Sequence, residues 1–595
     1  MSNVHGNSRK NQAVKTEYPK MFFGEVASAG VARGTAVVCE CLEDTPIARH
    51  VIDESEIAGE IARFDAAVSL AEKGMVALQQ KVGRDLGKNE AAIFEAHIAL
   101  LHDPSLRETV IALCQANKLN VEAAVSEAIG TLSTAFAHLA NPYFRERAAD
   151  LVDIGNRLQQ ALAKDDRPKL PSFPDGTVLV TRELLPSTIA QLDEKAVRGV
   201  VVEHGGQTAH ASILARTRGM PMLIHVSDAT QIIRTGDPII VDGIAGRIFI
   251  HASAHIQQEY DRLEADLQAH KTALQALIDL PSVTQDKVPI KLSANIGKVA
   301  DAATAAAVNA DGVGLYRTEF VFLAQNDFPP EEEQYKMYRA AADRLNSRAL
   351  VIRVLDIGSD KLLSYFQLAR EANPSLGRRG IRLLLAHPEI FQVQLRAILR
   401  LSATHPVAIL LPMVGGMEDF YAAQKAIEYA KSTLTREGHA FNPHIRVGAM
   451  IETPAAVILA GRLAQAADFL SIGTNDLVQY LLTTDRTSSQ VAAYYEPLHP
   501  AVLAALASVA AAAKEKSKSV SICGEMAGNP AYTMLLLGLG FRSLSVNPSE
   551  LLEIKNTIRS INLHQAEQLA KHVLELGTIR AVKDALHAAA SGGLP

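Results

Sequence analysis

Eight short apolar segments recur through residues 281–595 of this chain, and each is followed by residues with helical spacing. In chain order they are IKLSANIG, GVGLYRTE, LVIRVLDIG, VAILLPMV, RVGAMIET, FLSIGTND, SVSICGEM and FRSLSVNP. Eight strand–helix units over about 300 residues are what a (β/α)8 barrel requires. We therefore predict a TIM barrel here, with its site at the carboxyl ends of the strands, where such barrels carry their chemistry.

Charged and polar residues stand at these predicted strand ends and in the loops that follow them. They are Arg317, Arg353, Arg379, Glu452, Asn475, Asp476, Arg486 and Cys523. Because strands two and three are neighbours, as are five and six, we expect two arginines on one side of the mouth and two carboxylates on another. Arginine forks match phosphate or carboxylate oxygens, and paired carboxylates suit Mg²⁺. The pattern predicts a site for a small polyanion with a divalent cation.

Interpretations without a catalytic role also remain for these residues. Some of the charges are explained equally well as ion pairs that stabilise the barrel. Cys523 is interpreted either as an inert buried side chain or, from its position at the active face, as a proton donor.

The rest of the chain changes its hydrophobic period several times, which predicts a multidomain α/β protein. Glycine-punctuated strand patterns flank a long region in which apolar residues step by four and three. The predicted parts are a disordered tail (1–20), an α/β domain (21–45 and 166–253), a helical insertion within it (46–165), a linker helix (254–280) and the barrel (281–595).

The stretch GGQTAHASILAR places His210 after a glycine turn, at the start of a predicted helix. A metal-ligand role is disfavoured because no second histidine or cysteine lies at ligand spacing. A structural role in the turn is possible. A nucleophilic role fits best, because imidazole titrates near neutral pH and a helix N-terminus favours an added phosphate. Arg216 or Arg218 would then supply countercharge or simply face solvent.

Bulk properties exclude some classes of protein. The net charge of −6 argues against a nucleic-acid binder. We find no apolar run near the roughly 18 residues of a membrane span. The four cysteines form no CxxC pair, which predicts a reducing, cytoplasmic setting.

The motif GGQTAHASILAR resembles the phosphohistidine motif of the phosphoenolpyruvate-utilising enzymes. The segments GVGLYRTEF, IETPAA, SIGTNDL and CGEMAG are similar to that family's barrel motifs, and AAIFEAHIALLHDP and FRERAADLVDIGNRL to its helical insertion. The resemblance runs from about Phe22 to the last barrel helices and is greatest to the branch that serves the bacterial phosphotransferase system.

The resemblance implies that the phosphoryl group of phosphoenolpyruvate passes to His210 and then to the phosphocarrier protein HPr, with release of pyruvate. HPr would dock on the helical insertion, and the barrel would form a homodimer. The implied roles are phosphoenolpyruvate binding by Arg317, Arg353, Arg379, Asn475 and Arg486, Mg²⁺ binding by Glu452 and Asp476, and proton donation to the enolate carbon by Cys523.

Some positions depart from the family pattern. Gln207 and Ala209 stand where arginine and serine are frequent, and Ser375 and Arg378 stand where aromatic residues are frequent. The alternatives are a pyruvate dikinase relative, for which we find no glycine-rich nucleotide loop, and a docking protein that has lost its chemistry.

Overall fold

A computed structural model describes residues 20–39, 49–85, 88–137, 142–163, 173–206, 210–323, 327–358, 365–366, 371–486, 488 and 490–590. The predicted tail therefore lies outside the described residues up to position 19, as do Gln207 and Ala209. The chain divides into two compact units, Met1–Leu267 and Gln268–Pro595.

The first unit contains a mixed eight-stranded sheet in the order β1-β8-β7-β3-β4-β5-β6-β2. Strands β3 to β6 run parallel, and the remaining pairs are antiparallel. Its strands are β1 (Lys20–Phe23), β2 (Glu25–Ser28), β3 (Val31–Val38), β4 (Thr177–Thr181), β5 (Val197–Val202), β6 (Met222–Ile224), β7 (Pro238–Asp242) and β8 (Arg247–Ile250).

Gly24 alone separates β1 from β2, which stand at opposite ends of the strand order. The two edges of the sheet are therefore brought together around this residue. A Cβ at Gly24 would lie 2.6 Å from Cγ2 of Val226, so the close approach requires glycine.

Five helices lie between β3 and β4, where the sequence predicts an insertion. They are α1 (Ile57–Asp85), α2 (Lys88–Leu101), α3 (Pro104–Ala116), α4 (Val121–Ala137) and α5 (Pro142–Leu162). Phe64, Ala71 and Met75 are buried along one face of α1, as expected for apolar residues that step by four and three. Asp103 caps α3 by accepting a hydrogen bond from the amide of Ser105, and Pro104 is suited to the first helical position.

Shorter helices follow the later strands of the first unit: α6 (Pro186–Gln191), α7 (His210–Arg218), α8 (Ala229–Ile232) and the long α9 (Ala254–Gln275). The hydroxyl of Tyr260 on α9 donates to Asp242 at the end of β7, over 2.6 Å. The boundary between the two units falls within α9.

The second unit is a closed barrel of eight parallel strands, which confirms the predicted fold class. Each predicted segment contains one strand. The strands are β9 (Lys291–Ile296), β10 (Gly312–Arg317), β11 (Ala349–Arg353), β12 (Val407–Leu411), β13 (Arg446–Ile451), β14 (Phe469–Ile472), β15 (Ser519–Ile522) and β16 (Ser543–Val546).

Helices surround the barrel, and most of the apolar core lies between them and the strands. They are α10 (Val299–Ala307), α11 (Glu319–Leu323), α12 (Glu331–Asp343), α13 (Ile381–Ala386), α14 (Pro388–Ser402), α15 (Met417–Arg436), α16 (Pro454–Ile458), α17 (Ala460–Ala466), α18 (Thr474–Leu481), α19 (Pro500–Glu515), α20 (Pro530–Gly538), α21 (Leu551–Ser560), α22 (Leu563–Leu574) and α23 (Ile579–Ala590). Among the helices in the described ranges, none has both the length and the apolar character needed to cross a membrane.

Candidate active site

The carboxyl ends of the barrel strands surround a cavity of about 560 Å³. Every barrel residue predicted from the sequence lines it: Arg317, Arg353, Arg379, Glu452, Asn475, Asp476, Arg486 and Cys523. Glu319, Asp356 and Glu525 also line it. The sequence-based prediction gave these three residues no role.

The two predicted arginines do lie side by side, because Arg317 of β10 pairs in register with Arg353 of β11. They are not separated from the acidic groups. Arg353 donates to Glu319 and its Nη1 lies 3.2 Å from Oδ2 of Asp356. Arg317 is half-buried and has no ion pair with any described residue, so its fork is available to a ligand.

Arg379 precedes α13 and is 1% exposed. Its guanidinium donates to both oxygens of Asp356, at 3.0 and 2.9 Å, and contacts both oxygens of Asp476, at 3.3 and 3.0 Å. Burial alone would lower the pKa of Arg379, but the two carboxylates raise it above its ordinary value. This arginine therefore organises the carboxylates as well as lining the cavity.

Glu452 is 1% exposed and accepts a 2.6 Å hydrogen bond from the amide of Met413. Met413 has φ of 54°, a strained conformation for a side chain of this size. Burial, followed by the nearby Asp356 and Asp476, raises the pKa of Glu452 to about 8. A cation would relieve this crowding of acidic groups, so the donor set of Glu452 and Asp476 fits a divalent cation that prefers oxygen ligands.

Polar contacts fix the remaining side of the cavity. Asn475 and Glu525 form a reciprocal pair, in which Nδ2 of Asn475 donates to the Glu525 carboxylate and the Glu525 amide donates to Oδ1 of Asn475, both at 2.8 Å. Nη2 of Arg486 lies 3.6 Å from Oδ1 of Asp476, and its side chain is 29% exposed.

Cys523 lines the cavity and is 1% exposed. Its Sγ accepts a hydrogen bond from Ser471 at 3.2 Å, and it packs in a small apolar cluster with Leu315 and Met450. Burial raises the pKa of the Cys523 thiol. The sulfur is therefore held as a protonated thiol at neutral pH.

His210 is the first residue of α7 in the first unit, and its side chain is 35% exposed. Its Nδ1 lies 3.3 Å from Oδ1 of Asp150, a buried residue of α5. Burial alone would raise the pKa of Asp150, but the hydrogen bond with His210 and the proximity of the His97 imidazole lower it to about 2. An ionised Asp150 accepts the Nδ1–H of His210 and leaves Nε2 with a free lone pair.

Sequence reasoning missed the buried groups behind His210. His97 of α2 is fully buried, with Nε2 3.1 Å from Oδ1 of Asp150 and Nδ1 3.7 Å from Oδ2 of Asp153. Asp153 accepts hydrogen bonds from the amide and hydroxyl of Ser187 on α6. The available signal was that acidic residues adjoin the apolar stripe of α5.

Two interpretations of the His210 segment change. The spacing argument against metal binding considered only nearby positions, whereas His97 and Asp150 reach His210 from the distant helical insertion. Arg218 neither faces solvent nor supplies countercharge, because its guanidinium donates to the carbonyls of Ile189, Ala190 and Leu192 at the end of α6.

Comparison with protein families gives matches along most of the chain. Residues 24–147 match the model "PEP-utilising enzyme, N-terminal", residues 173–246 match "PEP-utilising enzyme, mobile domain", and residues 271–563 match "PEP-utilising enzyme, PEP-binding domain". The three models follow one another in the order in which the units and their parts occur.

Relatives align over almost the whole length. A phosphoenolpyruvate-protein phosphotransferase from Haemophilus influenzae is 38% identical, covering 94% of this chain and 97% of the relative. One from a Bacillus species, strain S, is 36% identical, covering 95% and 97%. A solution structure of Enzyme I (nEIt) is 29% identical and covers 42% of this chain and 99% of its own, with a TM-score of 0.35. The chain therefore belongs to the phosphoenolpyruvate–protein phosphotransferase family.

Proposed function

We propose that this chain transfers the phosphoryl group of phosphoenolpyruvate to His210 and then to an HPr-type carrier protein, releasing pyruvate. The observation that carries this proposal is the convergence of all the predicted barrel residues on one cavity, in a chain that also holds a half-exposed histidine with a fixed Nδ1 partner. Family membership supports the same reaction.

Phosphoenolpyruvate would bind in the barrel cavity. Arg317 and Arg353 would hold its phosphate, since two adjacent forks offer several donors to phosphate oxygens. Arg379 would keep Asp356 and Asp476 in place beside it, and Asn475 and Arg486 would contact the other end of the substrate.

Glu452 and Asp476 would hold Mg²⁺. When bound, this ion neutralises charge on the substrate oxygens. The same two side chains, together with Asp356, form the acidic side of the network that the arginines contact.

His210 would attack phosphorus through Nε2. The new P–N bond forms as the bond between phosphorus and the enol oxygen breaks, and the electron pair of that bond leaves with the enolate. Asp150 holds the proton on Nδ1 throughout, so the imidazole keeps the tautomer that can attack.

Cys523 would protonate the enolate carbon. Its buried thiol keeps its proton at neutral pH, and the S–H bond breaks as the C–H bond of the pyruvate methyl group forms. The resulting thiolate takes a proton back from solvent once pyruvate has left.

The proposal also covers the domain organisation. His210 and the cavity belong to different compact units, so the reaction requires the imidazole to enter the cavity and later to meet the carrier. We assign residues 21–45 and 166–253 to the phosphohistidine domain, 46–165 to the carrier-binding insertion, 254–280 to the linker helix that provides the hinge region, and 281–595 to the substrate-binding barrel.

Two further properties belong to the proposal. A homodimer through the barrel is supported by apolar side chains exposed on this unit, such as Ile458 at 84% and Tyr494 at 70%. A cytoplasmic location is supported by the buried thiols of Cys114 and Cys523, which form no disulfide in the described part of the chain.

The test is labelling of the full-length protein with ³²P-phosphoenolpyruvate and Mg²⁺, with pyruvate measured in parallel. We expect an acid-labile, base-stable label on wild type and on the control His204→Ala, whose altered side chain is exposed nearby. We expect none on His210→Ala. Adding an HPr-type carrier should remove the label from the wild type. Persistent histidine labelling of His210→Ala, or labelling by ATP instead, would overturn the proposal.

A further inference from the structure

Three side chains from distant parts of the first unit converge beside the reactive histidine. The nitrogens of His97 and His210 and a carboxylate oxygen of Asp150 all lie within 4.8 Å of one another. Oδ1 of Asp150 lies 3.1 Å from Nε2 of His97 and 3.3 Å from Nδ1 of His210. These separations are close to the distance of about 3.3 Å between two ligand atoms that each lie about 2.0 Å from a tetrahedral metal ion.

The buried members of this cluster have unused donor capacity. His97 is completely buried, and neither of its ring nitrogens makes a hydrogen bond of good geometry with any described residue. Oδ2 of Asp150 is also buried and has no hydrogen-bond partner among the described residues. Buried polar atoms of this kind call for a ligand, and here they adjoin the half-exposed His210, which leaves a path for an ion from solvent.

The donor chemistry selects the type of ion. Two imidazoles and one carboxylate are a ligand set typical of Zn²⁺, and a fourth position stays open for water. Mg²⁺ prefers oxygen ligands and belongs with the carboxylates of the barrel. Asp153, 3.7 Å from the other nitrogen of His97, is placed as the outer carboxylate that orients a metal-bound histidine.

We propose that His97, Asp150 and His210 form a site for a borderline divalent ion such as Zn²⁺, and that an ion bound there prevents His210 from accepting a phosphoryl group. A neutral imidazole carries one proton. Without the ion that proton is on Nδ1 and Nε2 has the lone pair. When the ion takes the Nδ1 lone pair, the proton must move to Nε2, which then has no lone pair to attack phosphorus. The blocking effect rests on the proposed function, whereas metal binding does not.

Binding is tested directly on the full-length protein. Zn²⁺ is titrated in the presence of excess Mg²⁺ against a chromogenic chelator, and Co²⁺ is added separately to record the visible absorption of tetrahedral cobalt. We expect one Zn²⁺ per chain and an intense Co²⁺ band. His97→Gln and Asp150→Asn should each weaken binding at least tenfold. The matched control His102→Gln, which alters a half-exposed histidine just beyond α2, should bind as wild type.

Inhibition is tested by labelling with phosphoenolpyruvate, each variant being compared with its own metal-free rate. We expect Zn²⁺ to stop labelling of wild type and His102→Gln, and to inhibit His97→Gln only at tenfold higher concentration. Binding that survives His97→Gln but is lost in Glu452→Gln would place the ion in the barrel and overturn the proposal. No Co²⁺ band in the wild type would also overturn it, whether or not the protein is phosphorylated. If no protein is labelled at all, the proposed function fails while the binding result still decides the metal site.

Discussion

The barrel cavity and the His210 cluster differ in how their charged side chains are arranged. In the cavity, buried arginines and carboxylates contact one another in a continuous network, so Arg353 and Arg379 each touch two acidic residues. At His210, a single buried carboxylate contacts two imidazoles and the reactive ring is partly open to solvent. The cavity therefore holds several charges of both signs in mutual contact, whereas the cluster fixes the orientation of one partly exposed imidazole.

This difference predicts different responses to mutation. Removing one member of a buried charge network leaves its partners unpaired, and the cost appears in stability as well as in activity. Removing a partner of His210 alters a tautomer in a half-exposed ring, and the cost should appear mainly in rate.

The largest effect is expected for Arg379→Leu. Asp356 and Asp476 would lose their buried countercharge, so we expect the free energy of unfolding of the barrel unit to fall by about 3–5 kcal/mol and phosphoenolpyruvate-dependent labelling to be lost. Differential scanning calorimetry and labelling measure the two effects.

The double variant Arg379→Leu/Asp356→Asn is the control for this change. It removes one of the stranded charges, so part of the stability should return while activity stays absent. An unchanged unfolding transition in Arg379→Leu would show that the cavity charges do not depend on one another, and the comparison with the His210 cluster would fail.

The next largest effect is expected for Cys523→Ala. Without the thiol the enolate lacks a positioned acid, and we expect pyruvate formation to slow by about 10²–10⁴-fold. Binding of phosphoenolpyruvate should change little, because Cys523 packs among apolar side chains and its thiol is uncharged. Stopped-flow detection of pyruvate measures the rate, and Cys114→Ala, which alters a buried thiol of α3, is the control. Pyruvate release at the wild-type rate would assign proton donation to another group.

A smaller effect is expected for Asp150→Asn. The amide no longer stabilises a proton on Nδ1 of His210 as a carboxylate does, so we expect single-turnover phosphorylation to slow by about 10²-fold, with a smaller loss of stability than in Arg379→Leu. Nitrogen-15 NMR of His210 should show a mixture of tautomers. Asp65→Asn, at an exposed ion pair with Arg107, should behave as wild type. A wild-type phosphorylation rate together with a mixture of His210 tautomers would show that the tautomer does not control the reactivity of His210. Asp150 would then have no role in the rate.

The barrel could be predicted from the sequence because each of its strands is encoded by one short, contiguous segment. Each strand is a short apolar run, and the polar residue that follows it, such as Glu452 after β13, must reach the same face of the barrel. Membership of one cavity follows from topology alone. What could not be predicted was the pairing within the cavity, because Arg379 comes from a loop whose path sets which carboxylates it contacts.

The His210 cluster shows the limit of such reasoning. His97 and Asp150 are 113 and 60 residues from His210 in the chain, and nothing in the spacing indicates that α2 and α5 pack against α7. Their polar side chains interrupt apolar stripes, which signals a buried polar group but not its partner. The contact depends on tertiary packing of the insertion on the α/β sheet within the first unit.

The smallest effect is expected for Arg218→Met. This variant tests whether the Arg218 guanidinium contributes positive charge to the His210 cluster. Methionine keeps most of the apolar stem but removes the donors to three carbonyls at the end of α6, so we expect the first unit to lose about 2 kcal/mol in free energy of unfolding. The labelling rate per folded molecule should change less than about twofold, as for the exposed control Arg216→Met. The opposite result, slow labelling with unchanged stability, would mean that the Arg218 guanidinium acts as a cation in the His210 cluster. The cluster would then resemble the barrel cavity more than its geometry indicates. Because the Arg218 guanidinium contacts only backbone carbonyls and, at 3.5 Å, Glu194 among the described residues, we expect it to fix the helix that carries His210 and not the phosphoryl group.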